Sequence, residues 1–328
     1  MTEKRPPERM RTMTYGNVVS LPSEDALRDK IKLQQARESA EPNPEFDQFI
    51  AEVDWSTLDL ILAEIARKSG VKPEEMNTLG PERVLCKTAF YRGDEGMQVV
   101  GDYVFDDNII NLNYRYVEQV AQELGVDPKF LALQILINGK VNAAKRNALT
   151  IFNSQSAAVQ EELPENQQKA VRALESGYRT SVLEISGTME KPQQNKTDLN
   201  VLLNDAVIRK LGLEIFREYL LRTGKMDKDQ MNRYLESYFS NRHFTDSGEL
   251  VHFMEDLLGV VSEKIDMDKE VVWRAFVRGL FEPHAKVLDN PTIKQWFAQA
   301  FSPDFLNKIS KVGSASELSR LLIEKYEK

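Results

Sequence analysis

The chain is poor in the two side chains that most often carry chemistry near neutral pH. Its 328 residues include one cysteine, Cys86, and three histidines, His243, His252 and His284. A single cysteine excludes an intrachain disulfide and suits a reducing compartment. The histidines stand nine and thirty-two residues apart, and neither gap puts two ligands on one helical turn. A histidine-built zinc site or a histidine relay therefore has little raw material. Positive charge is also scarce. Lys plus Arg total 43 against 51 Asp plus Glu, for a net charge of -8. Such a surface repels phosphate over most of its area, so no nucleic-acid partner is expected. No apolar run reaches the roughly 18–20 residues a spanning helix needs, and no membrane partner is expected. The segment Met1–Arg9 is charged and Pro-containing, without the apolar core of a secretion signal. These absences lead to the expectation of a soluble, cytoplasmic protein.

What is present is an ordinary globular mixture, 41% hydrophobic and 29% charged, long enough for one large domain or two smaller ones. Residues 1–45 carry Pro6, Pro7, Pro22, Pro42 and Pro44 among many charges. They are expected to form a disordered leader, with one weak helix over 25–40 resting on Leu27, Ile31 and Leu33. From Phe46 the pattern becomes that of a folded chain. Leu58, Ile61, Leu62 and Ile65 fall at i, i+3, i+4 and i+7 and predict an amphipathic helix ending at Gly70.

Residues 83–112 read as a small sheet: Val84-Leu85-Cys86, Met97 to Val100, Tyr103-Val104-Phe105, and Ile109 to Leu112 after an Asp106-Asp107-Asn108 turn. Everything after Asn113 reads as helices. One runs to Gly125, and the next starts at Asp127-Pro128 and is apolar nearly all round. Further helices are expected near 165–176, 199–222, 228–240, 247–264, 267–281, 292–300 and 315–327. Strands first and helices after predict an α+β fold: a small sheet with an edge strand, followed by a mainly helical domain. The expected division is a leader over 1–45, an α+β lobe over 46–224, and a helical lobe of the same domain over 225–328.

The stretch that invites a chemical reading is Leu136-Ile137-Asn138-Gly139-Lys140-Val141-Asn142-Ala143. Asn138 and Asn142 are four apart, so on a continuous helix both point the same way. The alternative is that Asn138-Gly139 ends the helix, as Asn-Gly often does. Downstream, Glu214 and Glu218 are again four apart within Leu213 to Leu220. A solvated helical face with Arg217 and Arg222 is the plain alternative there.

The order of these elements resembles the zincin metallopeptidases of the gluzincin type. That resemblance covers about residues 97–282. It implies a sheet with an edge strand, a helix that would bear His-Glu-x-x-His, and a downstream helix supplying a glutamate as third zinc ligand. On it, Asn138 and Asn142 stand at the two histidine positions, Gly139 at the catalytic glutamate, and Glu214 at the third ligand. Tyr103 and Phe105 on the edge strand, Tyr178 and Glu218 become cleft residues. An amide oxygen is a poor zinc donor and glycine supplies no base. The resemblance therefore implies a pseudopeptidase with no metal, no cofactor and no catalytic residue, binding a peptide or protein partner in the former cleft. It also implies that restoring His, Glu and His at 138, 139 and 142 would create zinc affinity. The competing reading is a mainly helical interaction or scaffold protein unrelated to peptidases. An active metallopeptidase or other hydrolase has least support in the residues.

Overall fold

The structure, a computed structural model, describes residues 11–15, 23–87, 91–92, 97–105, 107–145, 147–153, 170–188, 191–241, 244–282, 291–302 and 304–326. It is mainly helical with small sheets, compatible with the α+β expectation. Strand β1 (Arg11–Tyr15) precedes three helices, α1 (Ser23–Glu38), α2 (Pro44–Glu52) and α3 (Trp55–Lys68). Asn43 caps α2 and Asp54 caps α3, each accepting a backbone N–H of the first turn. Helix α3 stops where Gly70 turns left-handed, at φ 78°.

Next come β2 (Val84–Cys86), a two-stranded pair of β3 (Tyr91–Arg92) with β4 (Met97–Gln98), then β5 (Gly101–Val104) and β6 (Ile109–Leu112). The main sheet here has the order β2-β6-β5, with β2 parallel and β5 antiparallel to a wholly buried β6. Strand β5 is thus an outer strand, as expected. It ends at Val104, so Phe105 lies in the turn that follows.

The expectation of a disordered leader over 1–45 does not hold for its described residues, which form β1, α1 and the start of α2. Residues 1–10 and 16–22 lie outside the described ones, but α1 is packed against the sheet. Ala36 lies buried with Leu85 and Ile109, Arg83 forms an ion pair with Asp29, and Arg37 donates to the Glu82 carbonyl at 2.9 Å. The Glu41 N–H then binds the Cys86 carbonyl at 3.0 Å. Few apolar residues suffice because the sheet edge supplies polar partners for a charged helix. A sequence count of greasy positions misses that.

Two helices lead into the centre: α4 (Tyr114–Leu124) and α5 (Pro128–Ala144). The chain then departs from the helical expectation. Strands β7 (Asn147–Asn153), β8 (Ala170–Ser176), β9 (Arg179–Thr188) and β10 (Lys191–Leu199) form an antiparallel sheet in the order β1-β7-β8-β9-β10. The expected helix at 165–176 is overturned over 170–176, its first residues lying outside the described ones. Ala170-Val-Arg-Ala-Leu-Glu-Ser176 is rich in helix formers, but pairing on both sides overrides a propensity of a few tenths of a kcal/mol per residue.

Beyond Leu199 the helical expectation holds. The elements are α6 (Val201–Arg222), α7 (Lys228–Ser240), α8 (Thr245–Ile265), α9 (Lys269–Phe281), α10 (Pro291–Ala300), α11 (Phe305–Ile309) and α12 (Ala315–Tyr326). Asp227 and Gln230 form a capping box at the start of α7. One apolar core runs from Phe46 to Leu322, with α6 packed against α3, α5 and α8. The core continues without a break across residue 225. No helix of the described residues is long and apolar enough to cross a membrane.

Candidate functional site

Helix α5 begins with Asp127 accepting the Lys129 N–H at 2.8 Å and Pro128 in the first turn. It continues through Gly139 to Ala144, so Asn138-Gly139 is not a helix end. Gly139 has a packing reason. A Cβ there would lie 3.0 Å from three carbons of Ile110 on β6, so the glycine lets helix and sheet close on each other. On β5, Gly101 does the same for Ile135.

Asn138 and Asn142 share a face of α5, and α6 packs across it. The contact is very close: a Cβ on Gly212 would come within 2.0 Å of Asn138 Oδ1. That oxygen is buried without a hydrogen-bond partner, while the Asn138 carbonyl accepts from Asn142 Nδ2 at 2.9 Å.

Glu214 is not what lies opposite. Two residues beyond Gly212 is roughly 200° around α6, so its side chain leaves on the far side. Its carboxylate accepts from Lys210 Nζ at 2.7 Å and from Trp273 Nε1 on α9 at 2.9 Å. Lys210 also pairs with Glu255 on α8 at 2.7 Å and sits 4.7 Å over the Trp273 ring. This is a junction of α6, α8 and α9. Glu218 belongs to the surface, paired with Arg222, which also grips Glu64 of α3.

The acidic residue on the α5-facing side of α6 is Asp205, seven residues before Gly212 and therefore on the same face. Because the two helices run antiparallel there, Asp205 comes opposite the end of α5 and acts on Lys145, the C-cap residue seven positions after Asn138. Lys145 is 5% exposed and donates from Nζ to Asn142 Oδ1 at 2.7 Å. Burial pushes its amine down to about 8, opposed by the charges of Asp205 and Asp102 and reinforced by that of Arg179. At neutral pH it is still an ammonium. Sequence reading missed both residues. The available signal was the seven-residue spacing that pairs Asn138 with Lys145 and Gly212 with Asp205.

The β8–β9 turn completes the cluster. Gly177, at φ 58°, lies so close that a Cβ would sit 2.7 Å from Asn204 Oδ1 and 3.3 Å from Lys145 Cδ. Asn204 accepts the Tyr178 N–H at 3.2 Å. Tyr178 is buried, and its hydroxyl donates to the Phe276 carbonyl at 2.9 Å. That places it in the α6–α9 packing, with no open cleft around it. Tyr103 on β5 donates to Asn108 Oδ1 at 2.9 Å, bracing the turn that contains Phe105. So the structure joins Asn138 and Asn142 to Lys145, Asp205 and Tyr178, but not to Glu214 or Glu218.

The second lysine of α5 has a different role. Lys140 is 2% exposed, donates to the Leu79 carbonyl at 2.6 Å, pairs with Asp59 at 2.6 Å and lies 5.0 Å over Trp55. It ties α5 to α3. Burial lowers its amine, with Asp59 opposing.

The donors do not fit zinc. Asn138 offers one amide oxygen pressed against the α6 backbone, Gly139 offers nothing, and Asn142 Oδ1 is engaged by an ammonium. Of the histidines, His252 is exposed on α8, and His243 and His284 lie outside the described residues. The chain matches no family model, and no curated protein or solved structure is similar to it.

Proposed function

We propose that the chain is a non-hydrolytic binding protein on a zincin-like frame, in which the Lys145 ammonium stands where the resemblance calls for a metal ion. The observation that carries this is the buried Lys145, hydrogen-bonded to Asn142 and flanked by the charges of Asp205 and Asp102. A side-chain cation satisfies the Asn142 acceptor, one of those that a metal would otherwise neutralise. The residues supply no general base at Gly139, so water activation has no agent there. Asp205 takes the part first expected of Glu214. The partner in this reading is an extended peptide or protein segment added to the outer strand β5 beside Tyr103 and Phe105, and the setting is the cytoplasm.

The test is metal analysis of the dialysed protein together with a fluorogenic peptide-library assay. Substoichiometric zinc and no cleavage are expected. Near-equimolar zinc, or cleavage lost in Asp205→Ala, overturns the reading. Binders selected from a displayed peptide library should protect amides of residues 100–104 from exchange.

A further inference from the structure

The five-stranded sheet contains a strand that arrives from far away in sequence. Residues 11–15 pair antiparallel with β7 over five positions, Arg11 opposite Ile151, Met13 opposite Leu149 and Tyr15 opposite Asn147, and form the outer strand on that side. More than 130 residues separate the partners. Strand β7, Asn147-Ala-Leu-Thr-Ile-Phe-Asn153, is rich in strong strand formers. Without β1 it would present a row of unpaired N–H and C=O groups beside an apolar sequence, the arrangement that recruits another strand. The chain covers that edge with a short segment joined through residues 16–22 to α1, which is itself held on the other sheet by the Asp29–Arg83 pair.

We infer that the outer edge of β7 is a strand-docking site whose resident occupant is the chain's own residues 11–15, and that an extended segment of another protein can take their place. The ligand class is set by the register. It is an extended run of about five residues with large side chains at alternate positions, as Arg11, Met13 and Tyr15 are, and threonine-like residues between, as Thr12 and Thr14 are. Main-chain pairing supplies affinity and the alternation supplies register. A tethered occupant acts at an effective concentration in the roughly millimolar range, so it excludes weak competitors and yields to stronger ones. This site is separate from β5 and does not depend on the zincin-like frame.

The experiment uses the whole 328-residue chain. Thr12→Pro/Met13→Pro removes a ladder N–H whichever of the two residues points at β7. The probe is a fluorescein-labelled peptide of residues 9–17, read by anisotropy. The double variant should bind it at least about tenfold more tightly than the unsubstituted chain, and a peptide carrying the same two prolines should not bind. Equal binding by both proteins, or binding of the proline peptide, overturns the inference. A second arm needs no release of the strand. In Met13→Cys/Leu149→Cys/Cys86→Ser, directly opposed strand positions lie within disulfide range. Mild oxidation should yield an intrachain cross-link that migrates as a monomer. A disulfide-linked dimer would mean that a second copy fills the edge, and no cross-link would mean that β1 does not occupy it; either result overturns the proposal.

Discussion

Lys145 owes its properties to where α5 ends. Its amine is lowered from 10.5 to about 8, chiefly by burial. Below about pH 8 the folded and unfolded chains both carry this proton, and the folded state bears the cost of burying it. Between about 8 and 10.5 the folded state gives up the proton first, so this group's contribution to stability rises with pH. At ~1.4 kcal/mol per pH unit the full effect is about 3 kcal/mol. Urea unfolding of the unsubstituted chain and of Lys145→Met should therefore diverge, the unsubstituted chain gaining up to about 3 kcal/mol on the variant between about pH 7.5 and pH 10. Tyrosines titrating in that range cancel in the difference, and a pH-independent difference would refute the assignment. A neighbouring contact gives a second test. Gly212→Ala drives a methyl into Asn138 Oδ1 and should cost about 1–3 kcal/mol. In an Asn138→Ala background most of that cost should vanish. A double-mutant cycle measures the coupling, and simple additivity would mean that the helices do not meet there.

At the level of elements, the closeness of α5 to both β6 and α6 decides what the helix can carry. A glutamate at 139 begins with a Cβ pressed on Ile110, and a histidine at 138 meets the α6 backbone at Gly212. The triple variant Asn138→His/Gly139→Glu/Asn142→His is thus expected to gain no stoichiometric zinc and to melt well below the unsubstituted chain, opposite to what the resemblance alone implied. Plasma mass spectrometry and calorimetry check both halves, and tight zinc binding with unchanged stability would overturn the geometry described for α5. The same packing explains why the polar residues of so apolar a helix diverge. Lys140 turns to Asp59 and Trp55 of α3, Gln134 accepts from Tyr234 of α7 at 2.9 Å, and Asn138 and Asn142 face α6.

For the whole molecule, the continuity of the core across residue 225 carries a consequence for unfolding. Helix α6 lies between α5 on one side and α8 and α9 on the other, and the apolar cluster extends from Phe46 to Leu322. The lobes sketched as 46–224 and 225–328 should therefore unfold together. Denaturation followed by Trp fluorescence, with reporters at Trp55 in the first part and Trp273 and Trp296 in the second, should superimpose on far-ultraviolet circular dichroism as one transition. Two resolved transitions would mean that α6 does not join them.

By itself the sequence determined the elements whose signal is local. The three residues of β2, the helix over 228–240, the stop of α3 near Gly70 and the capped starts of α5 and α7 were legible because period, caps and breakers act within a few residues. Continuity of α5 through Asn138-Gly139 was readable only as one of two alternatives, since glycine's cost of about 1 kcal/mol is offset by the closeness of Ile110, a contact no local pattern encodes. The strand over 170–176 was hidden for a similar reason: helix-forming residues were held extended by partners on either side. The site followed the same division. The asparagines were found from their spacing, whereas Lys145 and Asp205 are brought together only by the antiparallel crossing of α5 and α6. That crossing also turned Glu214 toward Trp273, because two residues along a helix reverse the direction a side chain points.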